Sequence, residues 1–293
     1  MIKKIILLIP LLLLFSACSS APQEKLRISA TTWIGYTPLY YAKEKGWLDE
    51  LNIKLLNVSS LSENMYLYKA GNSDAYVGTQ YEYSILRKDD STLKPIMMFD
   101  RSNGGDIVLG NTSIDTLKNT EKTIDAYLEM DSINHTILKD FIKKHSLENK
   151  KIHYINKDQS QISILKAYKS TNPTIVITYV PYNLKLEKNG FRELASTKDS
   201  LDIFVIDAMF TTAKVFHTHE KQFRELKKLV DKSIESLKKD PKEFYEIIHP
   251  YLLEMSYEDF EHSLNDIIWI NKDLTPELEE RMNYSKFNTE DLI

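Results

Sequence analysis

The chain has 293 residues, 42% of them hydrophobic and 27% charged, with 38 basic against 42 acidic side chains and a formal net charge of -4. That length allows two domains or one large one with a sizeable core, and the composition carries no sign of disorder. The acidic balance leaves no electrostatic case for nucleic-acid binding, which needs a basic surplus.

The chain begins "MIKKIILLIPLLLLFSACSS". Lys3 and Lys4 precede an apolar run from Ile5 to Phe15 and then small residues. This order predicts a signal peptide over residues 1–17, since the run is too short to span a bilayer. The only cysteine, Cys18, follows in "LFSAC", which resembles a bacterial lipobox with Phe15 where leucine is usual. The resemblance implies cleavage before Cys18, lipid on its thiol and new amino group, and a polar tether over residues 18–25. A single cysteine excludes an internal disulfide and zinc sites built on paired cysteines.

Candidate strands follow at 25–32, 52–58, 74–78, 94–99, 106–110, 123–129, 151–156, 174–180 and 201–208, with segments of helix length between several of them. This alternation predicts an α/β fold with open, mostly parallel sheets flanked by helices. Beyond about residue 212 no further strand is expected. Phe223, Leu226, Val230, Ile234 and Leu237 recur at helical spacing among charged residues, so the C-terminal tail reads as helical.

The stretch "TTWIGYTPLYYAKEKGW" (31–47) predicts a strand end, a short loop and a helix. Thr37 is the expected N-cap, Pro38 the first helical residue and Gly46 the residue just past its end. Ligands of open α/β sheets bind beyond the carboxyl ends of strands. Trp33 and Tyr36 lie in that loop and are candidate ligand contacts, whereas Tyr40, Tyr41 and Trp47 read as core.

The run from Trp33 to Thr79 resembles the start of the nitrate/sulfonate/taurine and thiamine-pyrimidine group of periplasmic solute-binding proteins. Further matches are "RSNGGDIVL" (101–109), "AYLEMDSINHTIL" (126–138) and "TYVPYNLKLEKNGF" (178–191). The resemblance covers about residues 26–210. It implies a type II periplasmic-binding-protein fold: two lobes joined by two hinge crossings, closing on a ligand as the receptor of an ABC importer. The pattern places the crossings near Gly104–Gly105 and residues 201–204. Lobe 1 is then 26–104 plus 204–293, and lobe 2 is 105–203.

Strand-end residues are the candidate ligand contacts: Ser62, Glu63, Thr79, Glu82, Asp106, Glu129, Asp131 and Asp207, with Tyr179 and Tyr182 from the second lobe. Ser60–Glu63 and Thr79–Glu82 also fit capping boxes, so Glu63 and Glu82 read equally as caps. Tyr182 reads equally as a packing residue. Asp207 lies inside an apolar strand, where a carboxylate needs a partner. Asp131 is a possible cap for the helix after "LEMDS". Glu129 and Asp131 would repel a sulfonate or nitrate, and apart from Arg101 no basic anchor stands at these strand ends. Aromatics with carboxylates suit a cationic, zwitterionic or nitrogen-heterocyclic ligand.

No nucleophile elbow, zinc-binding HExxH or phosphate loop is present, and the seven histidines are scattered. A pyrimidine-precursor synthase shares the fold family, but its cysteine-rich motif is missing, so no catalysis, cofactor or metal is expected. The expected partners are a small-molecule ligand, the membrane through the lipid, and an ABC permease, with the chain a monomer. The alternative is a ligand sensor presenting its closed form to a membrane kinase or cyclase.

Overall fold

The computed structural model describes residues 24–198, 200–270, 274–284, 287, 289–290 and 292–293. The signal segment and Cys18 lie outside the described residues. Eleven strands are described: β1 (Leu26–Thr31), β2 (Ile53–Val58), β3 (Ala75–Thr79), β4 (Leu93–Ser102), β5 (Asp106–Gly110), β6 (Ile124–Leu128), β7 (Ile152–Asn156), β8 (Thr174–Tyr179), β9 (Arg192–Ser196), β10 (Ile206–Thr212) and β11 (Ile267–Trp269). They form two sheets, in the orders β11-β4-β10-β3-β1-β2 and β7-β6-β8-β5-β9.

Each sheet has a parallel half, β2-β1-β3 and β7-β6-β8. The strands next to the crossings, β4, β10, β5 and β9, pair antiparallel. The sheets are therefore mixed, with a smaller parallel share than the sequence predicts, because a chain crossing between sheets enters the second one without a βαβ return. Central strands β3, β5 and β8 are buried at every position, as expected where helices cover both faces. The edge strand β7 has no fully buried residue.

The chain leaves the first sheet after Ser102, enters the second at Asp106, and returns between Ser196 and Ile206. Gly104 takes a φ of 124° in the first crossing. Asp266 accepts through its carbonyl from the amides of Asn103 (2.8 Å) and Gly105 (3.1 Å), so the turn after the helix Tyr257–Ser263 braces that crossing.

The tail differs from the all-helical expectation, since β11 extends the first sheet beside β4. The last predicted strand also shifts: residues 201–205 belong to the return crossing, and β10 starts at Ile206. The helix Ala213–Lys239 buries Phe216, Phe223, Leu226, Val230, Ile234 and Leu237 along one face. Each such side chain contributes about 1.5–3 kcal/mol of burial. Gln222 on that face donates through Nε2 to the Leu51 carbonyl at 2.8 Å, tying the helix to the turn before β2.

The helix Thr37–Glu44 is entered through a 3-10 turn, Ile34–Tyr36. Tyr36 rather than Thr37 is its N-cap. Thr37 is already helical and donates from Oγ1 to the Ile34 carbonyl at 2.7 Å. Gly46 takes a φ of 76° just past the end, as its position predicts. Tyr40 stacks on Tyr251 and Tyr41 on Phe244, each at 4.4 Å between ring centres, and Lys232 lies 3.8 Å from the Trp47 ring centre.

Candidate functional site

The carboxyl ends of the parallel strands of both sheets face one another across a cleft. Thr31 ends β1, Thr79 ends β3, Tyr179 ends β8, and Glu129 follows β6 by one residue. The cavity between them is about 10 Å³ and is lined by Thr31, Trp33, Tyr36, Asp106, Tyr179 and Asp207 among others. That is room for about one water, so this form is closed, and a larger molecule needs the walls to part.

Five carboxylates gather here: Glu82, Asp100, Asp106, Glu129 and Asp207, each 3% exposed or less. Asp207 on β10 pairs in register with Asp100 on β4 and with Thr79 on β3, which sets two acids side by side on the sheet. The Tyr36 hydroxyl donates to Asp207 Oδ1. The Trp33 indole N–H donates to Asp100 Oδ1 at 3.2 Å, and the Asp106 amide donates to Ser102 Oγ at 3.0 Å. Trp33 meets Tyr179 edge to face at 5.9 Å, and Tyr179 meets Tyr182 at 5.3 Å.

Burial is the first cause of raised carboxyl pKa values throughout the cleft. Asp106 is pushed up to about 7, against a lowering hydrogen bond to Ser102 and with the Glu82 charge adding. Glu129 is pushed up to about 8 despite amides facing it, with Glu82 again adding. Glu82 is raised by burial, though Thr79 and backbone amides hold it down. Asp100 and Asp207 stand well above the usual carboxylate range, each through burial with other acids adding. The leading groups that shift these five are acids, hydroxyls, the Trp33 indole and amides, and among the described residues none of the five is ion-paired with a lysine or arginine.

Four buried polar atoms in the cleft lack a hydrogen-bond partner: Thr31 Oγ1, Asp100 Oδ2, Glu129 Oε1 and Tyr179 OH. An unsatisfied buried group costs about 1–3 kcal/mol, so donors that reach these atoms would be held strongly. Among the described residues, no group of three or more His, Cys, Asp and Glu side chains is placed to hold a metal ion.

Residues 33–244 match the model of the family described as NMT1/THI5 like. The chain belongs to the NMT1/THI5-like family. No curated protein sequence matches this family member. Its fold is that of a ligand-binding component of an ABC-type import system from Staphylococcus aureus, solved with zinc bound. The two share 14% identity over 90% of this chain and 91% of that one, with a TM-score of 0.71. The periplasmic aliphatic sulphonate binding protein SsuA from Escherichia coli matches at 12% identity over 90% and 86% of the chains, TM-score 0.69. The periplasmic nitrate-binding protein NrtA from Synechocystis PCC 6803 matches at 14% over 80% and 68%, TM-score 0.61. These neighbours are binding components rather than enzymes.

In this NMT1/THI5-like chain, Trp33, Tyr36, Thr79, Glu82, Asp106, Glu129, Tyr179 and Asp207 come together at the cleft. Tyr182 reaches across it, its hydroxyl donating to the Ser59 carbonyl at 3.4 Å. Ser62 is half-buried in the first turn of the helix Leu61–Lys69, where its amide faces Glu129. Thr79 and Glu82 form a capping box, and Glu82 uses its second oxygen across the cleft. Two candidates fall outside the buried group. Glu63 is exposed and spent on capping, accepting from the Ser59 amide at 3.0 Å and hydroxyl at 2.6 Å. Asp131 is exposed at the rim, where it accepts from the Tyr66 hydroxyl at 2.7 Å. The helix after it is capped by Ser132, not by Asp131. Arg101 turns away, with its guanidinium 4.8 Å from the Phe204 ring centre. Sequence reasoning passed over Asp100. Its signal was an acid closing the apolar run "PIMMFD", the pattern that had singled out Asp207.

Proposed function

We propose that this protein is the extracytoplasmic solute-binding component of an ABC importer, and that its interlobe cleft takes a small cationic, zwitterionic or nitrogen-heterocyclic ligand. The observation that carries the ligand class is the set of five buried carboxylates, none of them ion-paired with a lysine or arginine among the described residues. A cation entering there draws these carboxyls into their ionised form with release of protons, and the charge-assisted bonds it then makes in a low-dielectric site are strong. The rings of Trp33, Tyr36 and Tyr179 offer cation–π faces or a stacking surface to the same ligand. A sulfonate or nitrate would compete with Glu129 and Glu82 for the backbone amides of Leu61 and Ile133. The family and the import-system neighbours support the receptor role, with lobe 1 as 26–104 plus 204–293 and lobe 2 as 105–203 closing about the two crossings.

In this reading the ligand enters the open cleft against Trp33 and Tyr36. The second lobe then brings Glu129 and Tyr179 over it and excludes water. Lipid on Cys18 would hold the chain at the membrane beside its permease, as a monomer. Palmitate labelling in cells should mark the wild type and vanish in Cys18→Ser; labelling that persists in the variant overturns the anchor. The same closure would serve a sensor read by a membrane kinase or cyclase, and permease and ATPase genes beside this one would favour the importer.

The deciding experiment is thermal unfolding of residues 19–293 against amines, betaines, pyrimidines, sulfonates and nitrate. A ligand at about a hundred times its Kd adds roughly 2.7 kcal/mol. Stabilisation by amines, betaines or pyrimidines is expected. Stabilisation by sulfonate or nitrate alone would overturn the ligand class.

A further inference from the structure

Two carboxylates cross the cleft in opposite directions. Glu129, on the second-sheet side, accepts through Oε2 at 3.1 Å from the amide of Leu61, the first residue of the helix Leu61–Lys69 on the first-sheet side. The Ser62 amide also faces it. Glu82, on the first-sheet helix Gln80–Asp89, accepts through Oε1 at 2.9 Å from the amide of Ile133. That residue begins the helix Ile133–Lys144 on the second-sheet side.

The local caps explain why these amides are free to cross. Ser60 Oγ takes the Glu63 amide and Ser132 Oγ takes the Asn134 amide, each leaving the first amide of its helix without a local partner. First-turn amides lack intrahelical acceptors and sit at the positive end of the helix dipole. They are the groups that an anionic ligand in this cleft would need. Here the chain's own carboxylates hold them.

We propose that Glu82 and Glu129 are specificity-determining residues that close the cleft by occupying the facing helix N-termini and so exclude anionic ligands. The inference rests on the reading of this cleft as the ligand site, but the closure it describes needs no added ligand. The two halves are unequal. Glu82 is fully engaged, since its other oxygen takes the Thr79 amide at 2.8 Å and hydroxyl at 2.5 Å. Glu129 keeps Oε1 without a partner; burial, and then its charge, raises the pKa of the Tyr179 hydroxyl, which is also unpartnered. Glu129 is therefore the half that a ligand donor can share while the other oxygen still holds Leu61.

The test is Glu129→Ala, with Glu129→Gln as a near-isosteric control, each without ligand and then with formate or methanesulfonate. Small-angle scattering should show a larger radius of gyration for Glu129→Ala than for the wild type. Formate or methanesulfonate should restore the smaller value and raise Tm in Glu129→Ala only. Glu129→Gln keeps an acceptor, so it should fold, remain more open than wild type and respond weakly to anions. If Glu129→Ala fails to fold, Glu129→Gln decides by the same scattering. Variants as compact as wild type, with no anion response, would overturn the proposal. A wild type that binds no cation or heterocycle while Glu129→Ala is rescued by anions would sink the ligand class and leave the latch standing.

Discussion

Gly35 lies so close to the Asp100 carboxylate that a Cβ built there would come within 1.8 Å of Oδ2 and 2.6 Å of the Trp33 Nε1. The Trp33–Asp100 bond therefore exists only because residue 35 has no side chain. Gly35→Ala forces one partner away, at a cost of about 1–3 kcal/mol for overpacking, and leaves the indole misplaced. The expected outcome is a lowered Tm and loss of the ligand-induced shift; unchanged values of both would show that the pair is not needed. At this scale the sequence was informative where a residue type was costly in its setting. Asp207 in an apolar strand and the aromatic-glycine loop "WIGY" both lead to the cleft. It was least informative for Glu63 and Glu82, whose capping-box spacing is the same. Both helices abut the other side of the cleft, but Glu63 turns back onto the exposed Ser59 while Glu82 lies under the Ile133 amide. No local pattern encodes that.

Elements with both faces covered were the most legible, because continuous apolar runs such as "TIVITY" and "DIVLG" leave few alternatives to a central strand. The two strands missing from the sequence reading, β9 and β11, are edge elements. β9 reads "RELAS", with its first two residues exposed, and β11 has only three residues. Each is a strand because a neighbour supplies a ladder, β5 for one and β4 for the other, so the signal lies in the partner. The apolar run beginning at Leu201 misled for a related reason. Its first part crosses between the sheets and places Val205 on the cavity wall, and only from Ile206 does it find strands on both sides. The first crossing also touches the site. A Cβ on Gly105 would lie 2.4 Å from the Trp33 ring, so the indole rests directly on the backbone that would bend if the proposed lobes part. Movement at this crossing and movement of Trp33 are therefore coupled sterically.

For the whole molecule, the buried acids set a pH dependence of definite sign. Glu129 rises from 4.5 to about 8 and Asp106 from 3.8 to about 7 on folding. Between the unfolded and folded values the unfolded chain has released a proton that the closed form keeps. Stability therefore falls as pH rises through that window and levels off above it. Glu82, Asp100 and Asp207, which face the same cavity, are raised as well and act in the same direction. Asp74, lowered overall by its bonds with Arg27, is lost only at more acid pH, while His135 and His145, lowered first by burial, oppose the trend below about 6.5. Comparing wild type with Glu129→Gln and Asp106→Asn cancels these other groups. The wild type should lose stability relative to each variant from pH 5 to 8, by an amount on the order of a few kcal/mol. Binding of a cation runs the other way, because it recruits the ionised carboxylates. Its affinity should climb over the same interval, and calorimetry in buffers of different ionisation enthalpy should register proton release. Binding of a cation without proton release, or a wild type that gains stability on its variants from pH 5 to 8, would mean that these acids are ionised before any ligand arrives.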